Sequence, residues 1–166
     1  MTRIEATSGK TSLAGKYLAF LLNRESYGIP VLKVLEIIRM TAITPVPRMP
    51  AYVKGVINLR GKIIPIIDLC AKLGLEHAAS TEHACLVIVQ VPGPENRPIH
   101  LGLAVDAVEE VCQLAAGDIE ETPDFGSALD TACILAVAKV RNAVKTLLDI
   151  DYILAAQTVP PLLRTL

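Results

Sequence analysis

The stretch YVKGVINLRGKIIPIIDLCAKLG, residues 52–74, limits the possible folds more than any other part of the chain. Its two apolar runs, residues 53–59 and 63–67, are of strand length and rich in β-branched residues, whose stiff side chains suit a pleated surface. Between them Arg60-Gly61-Lys62 supplies a turn, with glycine where a hairpin needs tolerance of positive φ. Asp68 then stands where its carboxylate can accept from the free amides of a first helical turn, and Gly74 can close that turn in the left-handed conformation. The expectation is strand, tight turn, strand, short helix. Asn58 and Arg60 carry the polar chemistry near the turn, and nothing there has a catalytic arrangement.

The end of the chain repeats this unit. Laid over each other with a shift of 81 (137 against 56), VINLRGKIIPIIDL at 56–69 falls on VAKVRNAVKTLLDI at 137–150. Val56, Arg60 and Asp68 meet Val137, Arg141 and Asp149, Gly61 meets Asn142, and most apolar positions match in class. Both copies put a positive-φ-tolerant residue between two apolar strands and an aspartate before a helix. Two related β lobes follow. What separates the copies is also informative, since Gly55, Asn58 and Gly61 become Ala136, Lys139 and Asn142. Alanine at 136 forbids easy positive φ, which predicts a local backbone difference.

Elsewhere the pattern is again short strands and turns. Residues 17–22 (YLAFLL) and 27–29 read as a hairpin, and 30–40 as one helical turn followed by a strand from about Leu35. Alternation in that strand places Glu36 on one face with Val34 and Ile38. On this pattern alone the ordinary reading is a solvated carboxylate. Three prolines in the six residues 45–50 make a rigid connector. Residues 84–91, 99–105 and 108–114 read as three strands in two further hairpin pairings. Such a series favours a mainly β chain of small barrels over a doubly wound α/β sheet.

Composition excludes several functions. Sixteen basic residues against 17 acidic give a net charge of -1, without a basic run, and aromatic residues make up only 4% with no tryptophan. Nucleic acid is therefore not an expected ligand, because it needs a basic face and stacking rings. The four cysteines, at 70, 85, 112 and 133, match no zinc or redox spacing, and Cys85 and Cys133 read as reduced packing residues. Gly9-Lys10-Thr11-Ser12 imitates a phosphate loop, but Ile4 stands where its first glycine belongs. No signal region and no membrane-spanning stretch is present, so a cytoplasmic protein without membrane insertion is expected. The acidic segment 118–130, with one of His77, His83 and His100, supplies the alternative of a small β-barrel enzyme, although its spacing fits no calcium loop.

The order of these pieces resembles the CheW family of chemotaxis coupling proteins. The resemblance is carried by YLAFLL, SYGIPVLKVLEII, ITPVPRMPAYVKGVINLRGKIIPIIDL, LGLAVDAVEEV and LLDID. It implies two intertwined five-stranded SH3-like β-barrel subdomains sharing a core, with short helices, over residues 16–157. Residues 1–15 are then a flexible lead and 158–166 a tail. It further implies a scaffold without catalysis, cofactor or metal. The implied partners are the cytoplasmic tip of methyl-accepting chemoreceptors, the regulatory domain of a CheA-type histidine kinase, and other CheW-like domains in rings, at membrane-associated arrays. By position, Val34, Glu36, Arg60, Gly102 and Val108 fall in the family's receptor-binding groove, where a long Arg60 could pair with Glu36. Thr44, Gly55 and Asn58 fall at coupling or kinase-interface positions. Cys70 departs from the family's common arginine, and Ala136 from its glycine.

Overall fold

The computed structural model describes residues 13–78, 82–121 and 131–155. Within them the strands are β1 (Gly15–Leu22), β2 (Glu25–Pro30), β3 (Val34–Arg39), β4 (Val53–Leu59), β5 (Lys62–Asp68), β6 (Cys85–Pro92), β7 (Pro98–Val105), β8 (Ala107–Leu114), β9 (Ile119–Glu120), β10 (Ile134–Val140) and β11 (Ala143–Leu148). Two four-residue helices, α1 (Leu69–Lys72) and α2 (Ile150–Ile153), follow β5 and β11.

The strands form two sheets, ordered β8-β1-β2-β11-β10-β9 in a first lobe and β3-β6-β7-β5-β4 in a second. The chain starts in the first lobe, builds the whole of the second, and returns at β8, so the lobes are intertwined. One expectation is corrected here. Instead of closing a hairpin on β7, β8 pairs antiparallel with β1. Asp106 turns the chain, since its N–H donates to the Leu21 carbonyl at 3.0 Å and its carboxylate accepts from the Asn23 N–H at 2.7 Å. Alternation in the sequence reveals a strand but not its partner.

The internal repeat holds to the level of single hydrogen-bond registers. In β4–β5, Val53 faces Ile67 and Gly55 faces Ile66, with Lys54 bulged out. In β10–β11, Ile134 faces Leu148 and Ala136 faces Leu147, with Leu135 bulged out. Arg60 and Gly61 have φ of 52 and 84, and Arg141 and Asn142 have 47 and 65, the paired positive values of a type I′ hairpin turn. Asp68 accepts from the Ala71 N–H and Asp149 from the Tyr152 N–H, so both aspartates cap as the sequence predicts.

The equivalence extends beyond the repeated segment. β5 runs parallel to β7 with Ile66 beside Gly102, and β11 parallel to β2 with Leu147 beside Gly28. β3 meets β6 with a bulge between Val34 and Glu36, as β8 meets β1 with a bulge between Val108 and Glu110. At the outer edge Thr44 bridges to Val56, and Glu120 of β9 to Val137. The sixth strand of the first lobe is thus the counterpart of a single bridge in the second, and five strands per lobe are common to both.

Three clusters of buried residues hold this arrangement. The largest is shared, drawing Leu18, Phe20 and Ile29 from the first lobe, Val87, Leu101 and Leu103 from the second, and Leu69 and Ile150 from the helices. Each lobe also has its own interior, Tyr17, Ala19, Ala138 and Leu147 in one and Ile57, Ile64, Ile66, Leu86 and Ile88 in the other. Burying one such large aliphatic side chain contributes about 1.5–3 kcal/mol. Lys33, in the turn that crosses between lobes, pairs with Asp151 of α2 at 2.7 Å.

Candidate partner-binding site

The sequence-predicted site residues divide by geometry. Glu36 and Arg60 come together, and the guanidinium Nη1 and Nη2 reach both carboxylate oxygens in a bidentate pair. β3 supplies Glu36, and the β4–β5 turn supplies Arg60. Asn58 fixes that turn by accepting the Gly61 N–H at 2.8 Å. The pair is open to water, with Arg60 68% and Glu36 31% exposed, so it adds about 0–1 kcal/mol to stability. Leu35 and Ile37, the neighbours of Glu36 along β3, and Ile63 of β5 are 48%, 42% and 42% exposed, with Ile37 on the strand face opposite Glu36. An ion pair of small structural value next to exposed aliphatic side chains is a surface suited to a partner.

The remaining positions are spread over both lobes. Val34 packs its half-buried side chain against the shared core, and Val108, its equivalent in the first lobe, does the same from β8. Gly102 is buried under β5, where a Cβ would come within 2.5 Å of Ile66 Cδ1. Its role is to let the strands approach. Thr44 and Gly55 form the outer edge, with Thr44 and Val56 exchanging two backbone hydrogen bonds of 2.9 Å.

One group at this end of the second lobe escaped sequence reading. Lys62 Nζ lies 2.7 Å from His100 Nδ1, and His100 Nε2 lies 3.1 Å from Gln90 Oε1, a chain across β5, β7 and β6. Burial, then the Lys62 charge, pushes the His100 pKa below its ordinary value. The neutral form is therefore favoured on folding. Its contribution to stability is complete above the ordinary histidine value of about 6.5 and is lost as pH falls below it. Thermal melts between pH 7.5 and 5.5 are expected to show a larger fall for wild type than for His100→Gln. Equal falls would show that His100 carries no such linkage. The facing of Gln90 and His100 was legible in the β6–β7 hairpin, but the parallel neighbour β5 was not.

The first lobe carries an equivalent but different face. Arg141 is hydrogen bonded to both oxygens of Glu110, which together hold the Glu110 carboxyl below its usual range. Lys145, the one charged residue that is buried among those described, reaches Ser26 Oγ at 2.9 Å and Glu109 Oε1 at 3.3 Å. Val111 and Val144, the neighbours of Glu110 and Lys145 along β8 and β11, are 57% and 61% exposed.

The enzyme alternative finds little in the described part of its segment. Asp118 accepts from the Ala115 N–H and Glu120 pairs with Lys139 at 2.9 Å, while Asp124 and Asp130 lie outside the described residues. No group of three His, Cys, Asp or Glu among the described residues could hold a metal ion. All four cysteines are free thiols, and Cys85 and Cys133 pack against the shared core. The buried Cys70 has its pKa pushed up to about 12 by burial and then by Asp106 and Asp68. It is not a ready nucleophile.

Two equivalent β lobes, intertwined around one shared core, define the class as a duplicated two-lobe β module. Residues 16–158 match the CheW-like domain, and the chain belongs to that family. It is 33% identical over 140 residues to the chemotaxis protein CheW of Rhizobium meliloti, covering 84% of this chain and 87% of that protein. With the chemotaxis protein CheW of Klebsiella aerogenes it shares 31% over 157 residues, 95% and 91% of the two chains. The crystal structure of the scaffolding protein TtCheW from Thermoanaerobacter tengcongensis superposes with a TM-score of 0.76 at 31% identity, covering 88% of this chain and 96% of that one. No helix among the described residues is long and apolar enough to cross a membrane.

Proposed function

We propose that this chain is a non-catalytic adaptor in the cytoplasm. It couples the tips of methyl-accepting chemoreceptors to the regulatory domain of a CheA-type histidine kinase at receptor arrays. The observation that carries the reading is the exposed Glu36–Arg60 pair on a lobe that also exposes Leu35, Ile37 and Ile63, in a chain whose relatives are chemotaxis proteins over most of their length. Such a face suits an amphipathic helical hairpin, whose apolar stripe covers the aliphatic side chains while polar flanks meet the ion pair. The first lobe offers a separate face at Val111, Val144, Glu110 and Arg141 for a kinase lobe or another CheW-like domain. Two non-identical faces on one chain permit rings.

The test is co-sedimentation with receptor signalling fragments and kinase, together with kinase autophosphorylation. Failure of the chain to join the complex or to alter phosphorylation overturns the proposal. Within it, Arg60→Glu sets a second carboxylate beside Glu36 and is expected to weaken receptor binding about tenfold. Its thermal midpoint should stay near wild type, because the exposed pair adds little stability. A variant that no longer melts cooperatively would instead make Arg60 a structural residue.

A further inference from the structure

We propose that Lys62 and His100 form a proton-linked docking pair on the second lobe, which receives a carboxylate from the helical partner. This deepens the adaptor reading above and rests on it. For the 2.7 Å contact to be a hydrogen bond, the Lys62 ammonium must donate, so His100 Nδ1 accepts. The ring proton then sits on Nε2 and is donated to Gln90 Oε1. Both ring nitrogens of His100 are engaged, but the charge of Lys62 is not balanced. Among the described residues no carboxylate forms an ion pair with it, whereas neighbouring Arg60 already holds Glu36. The result is an exposed cation presented by a neutral ring at the edge of an apolar face.

The groups facing His100 are few. Lys62 comes from β5 and the uncharged Gln90 from β6, and Glu95 and Arg97, in the loop before β7, make no ion pair among the described residues. The arrangement is confined to one lobe. By the register equivalence, Ala143 stands in the first lobe for Lys62, and Ser26 for His100. Protonation of Nδ1 ends its hydrogen bond from Lys62. A docked carboxylate must therefore lie between the two side chains and accept from both the ammonium and the Nδ1–H, offsetting the Lys62 charge that, after burial, disfavours the protonated ring. The ring would then gain a proton as the partner docks, and linkage requires affinity to rise as pH falls through the histidine range. The ligand this selects is an amphipathic helix with Asp or Glu flanking its apolar stripe.

The experiment is a set of binding isotherms with a soluble receptor signalling-tip fragment from pH 8 to 5.5 at fixed salt, for wild type, Lys62→Met and His100→Gln. Proton NMR of the His100 ring is followed in parallel. Wild type is expected to bind about threefold or more tightly at pH 5.5 than at pH 8, and His100→Gln to show a flat profile. Lys62→Met should bind about fivefold less tightly at pH 8 and return the His100 titration toward its ordinary value. Wild-type affinity that does not change with pH, or Lys62→Met binding as well as wild type, overturns the docking pair and leaves the adaptor reading standing. Absence of wild-type binding at every pH overturns both.

Discussion

A Gly55→Val chain is expected to melt about 10 °C below wild type, the outcome of about 3 kcal/mol or more of lost stability in a domain of this size. Gly55 has a φ of 141, which side-chain-bearing residues rarely adopt. A Cβ there would stand 2.1 Å from the Thr44 carbonyl oxygen and 2.7 Å from its carbon. Neither atom can move without breaking the two hydrogen bonds that bind Thr44 to Val56. The equivalent position in the first lobe is occupied by Ala136, which is absent from the positive-φ residues, and there the edge is covered by Glu120 and Ile119. Ala136→Gly should therefore cost no more than about 1 kcal/mol, the usual entropic loss in a strand. Scanning calorimetry of both variants checks the pair. A Gly55 variant that melts with wild type would mean that the Thr44 edge is dispensable, and Thr44 and Gly55 could then affect coupling only through direct contact.

The contrast between these two residues shows where sequence reading succeeds. The hairpins, the caps at Asp68 and Asp149 and the duplication were legible because each rests on local rules: a type I′ turn, a carboxylate over free amides, a period of two. The Gly55 to Ala136 change predicted a backbone difference for the same local reason, and the structure has one. What stayed hidden is non-local. That β8 leaves β7 for β1 depends on Asp106 meeting Leu21 and Asn23, residues more than 80 positions away in the chain. Glu36 with Arg60 was anticipated only through the family resemblance, since an antiparallel partner for β3 could not be chosen from alternation. The Lys62–His100–Gln90 chain needed the parallel pairing of β5 with β7, which no turn encodes. Gly102 likewise reads as an ordinary strand residue until Ile66 is seen above it.

Lys145→Ala is the second large expected effect, a loss of about 2–3 kcal/mol read from the midpoint of urea unfolding at unchanged slope. The Lys145 side chain is only 7% exposed, and its ammonium serves Ser26, Glu109 and, at 4.0 Å, Glu110. Ser26 donates in turn to Glu109 at 2.5 Å. Without the lysine, Glu109 keeps only the Ser26 hydroxyl, while Glu110 keeps Arg141. Because those carboxylates are about one-third exposed, water recovers part of the cost, which keeps the estimate below the range for fully buried pairs. The second lobe shows the apolar solution to the same position, with Ile64 standing for Lys145 and Leu35 for Glu109. Lys145→Ile with Glu109→Leu should therefore recover about half of the loss, and a double-mutant cycle should give a coupling of about 1 kcal/mol. If Lys145→Ile alone is neutral, the lysine acts through its aliphatic stem and the charges are incidental. If the coupling is found, the two lobes share one backbone plan but end in opposite chemistries, aliphatic around Leu35 and charged around Lys145. A partner matched to one face would then have to desolvate unpaired charge at the other, which is a physical basis for keeping two partners apart on a duplicated fold.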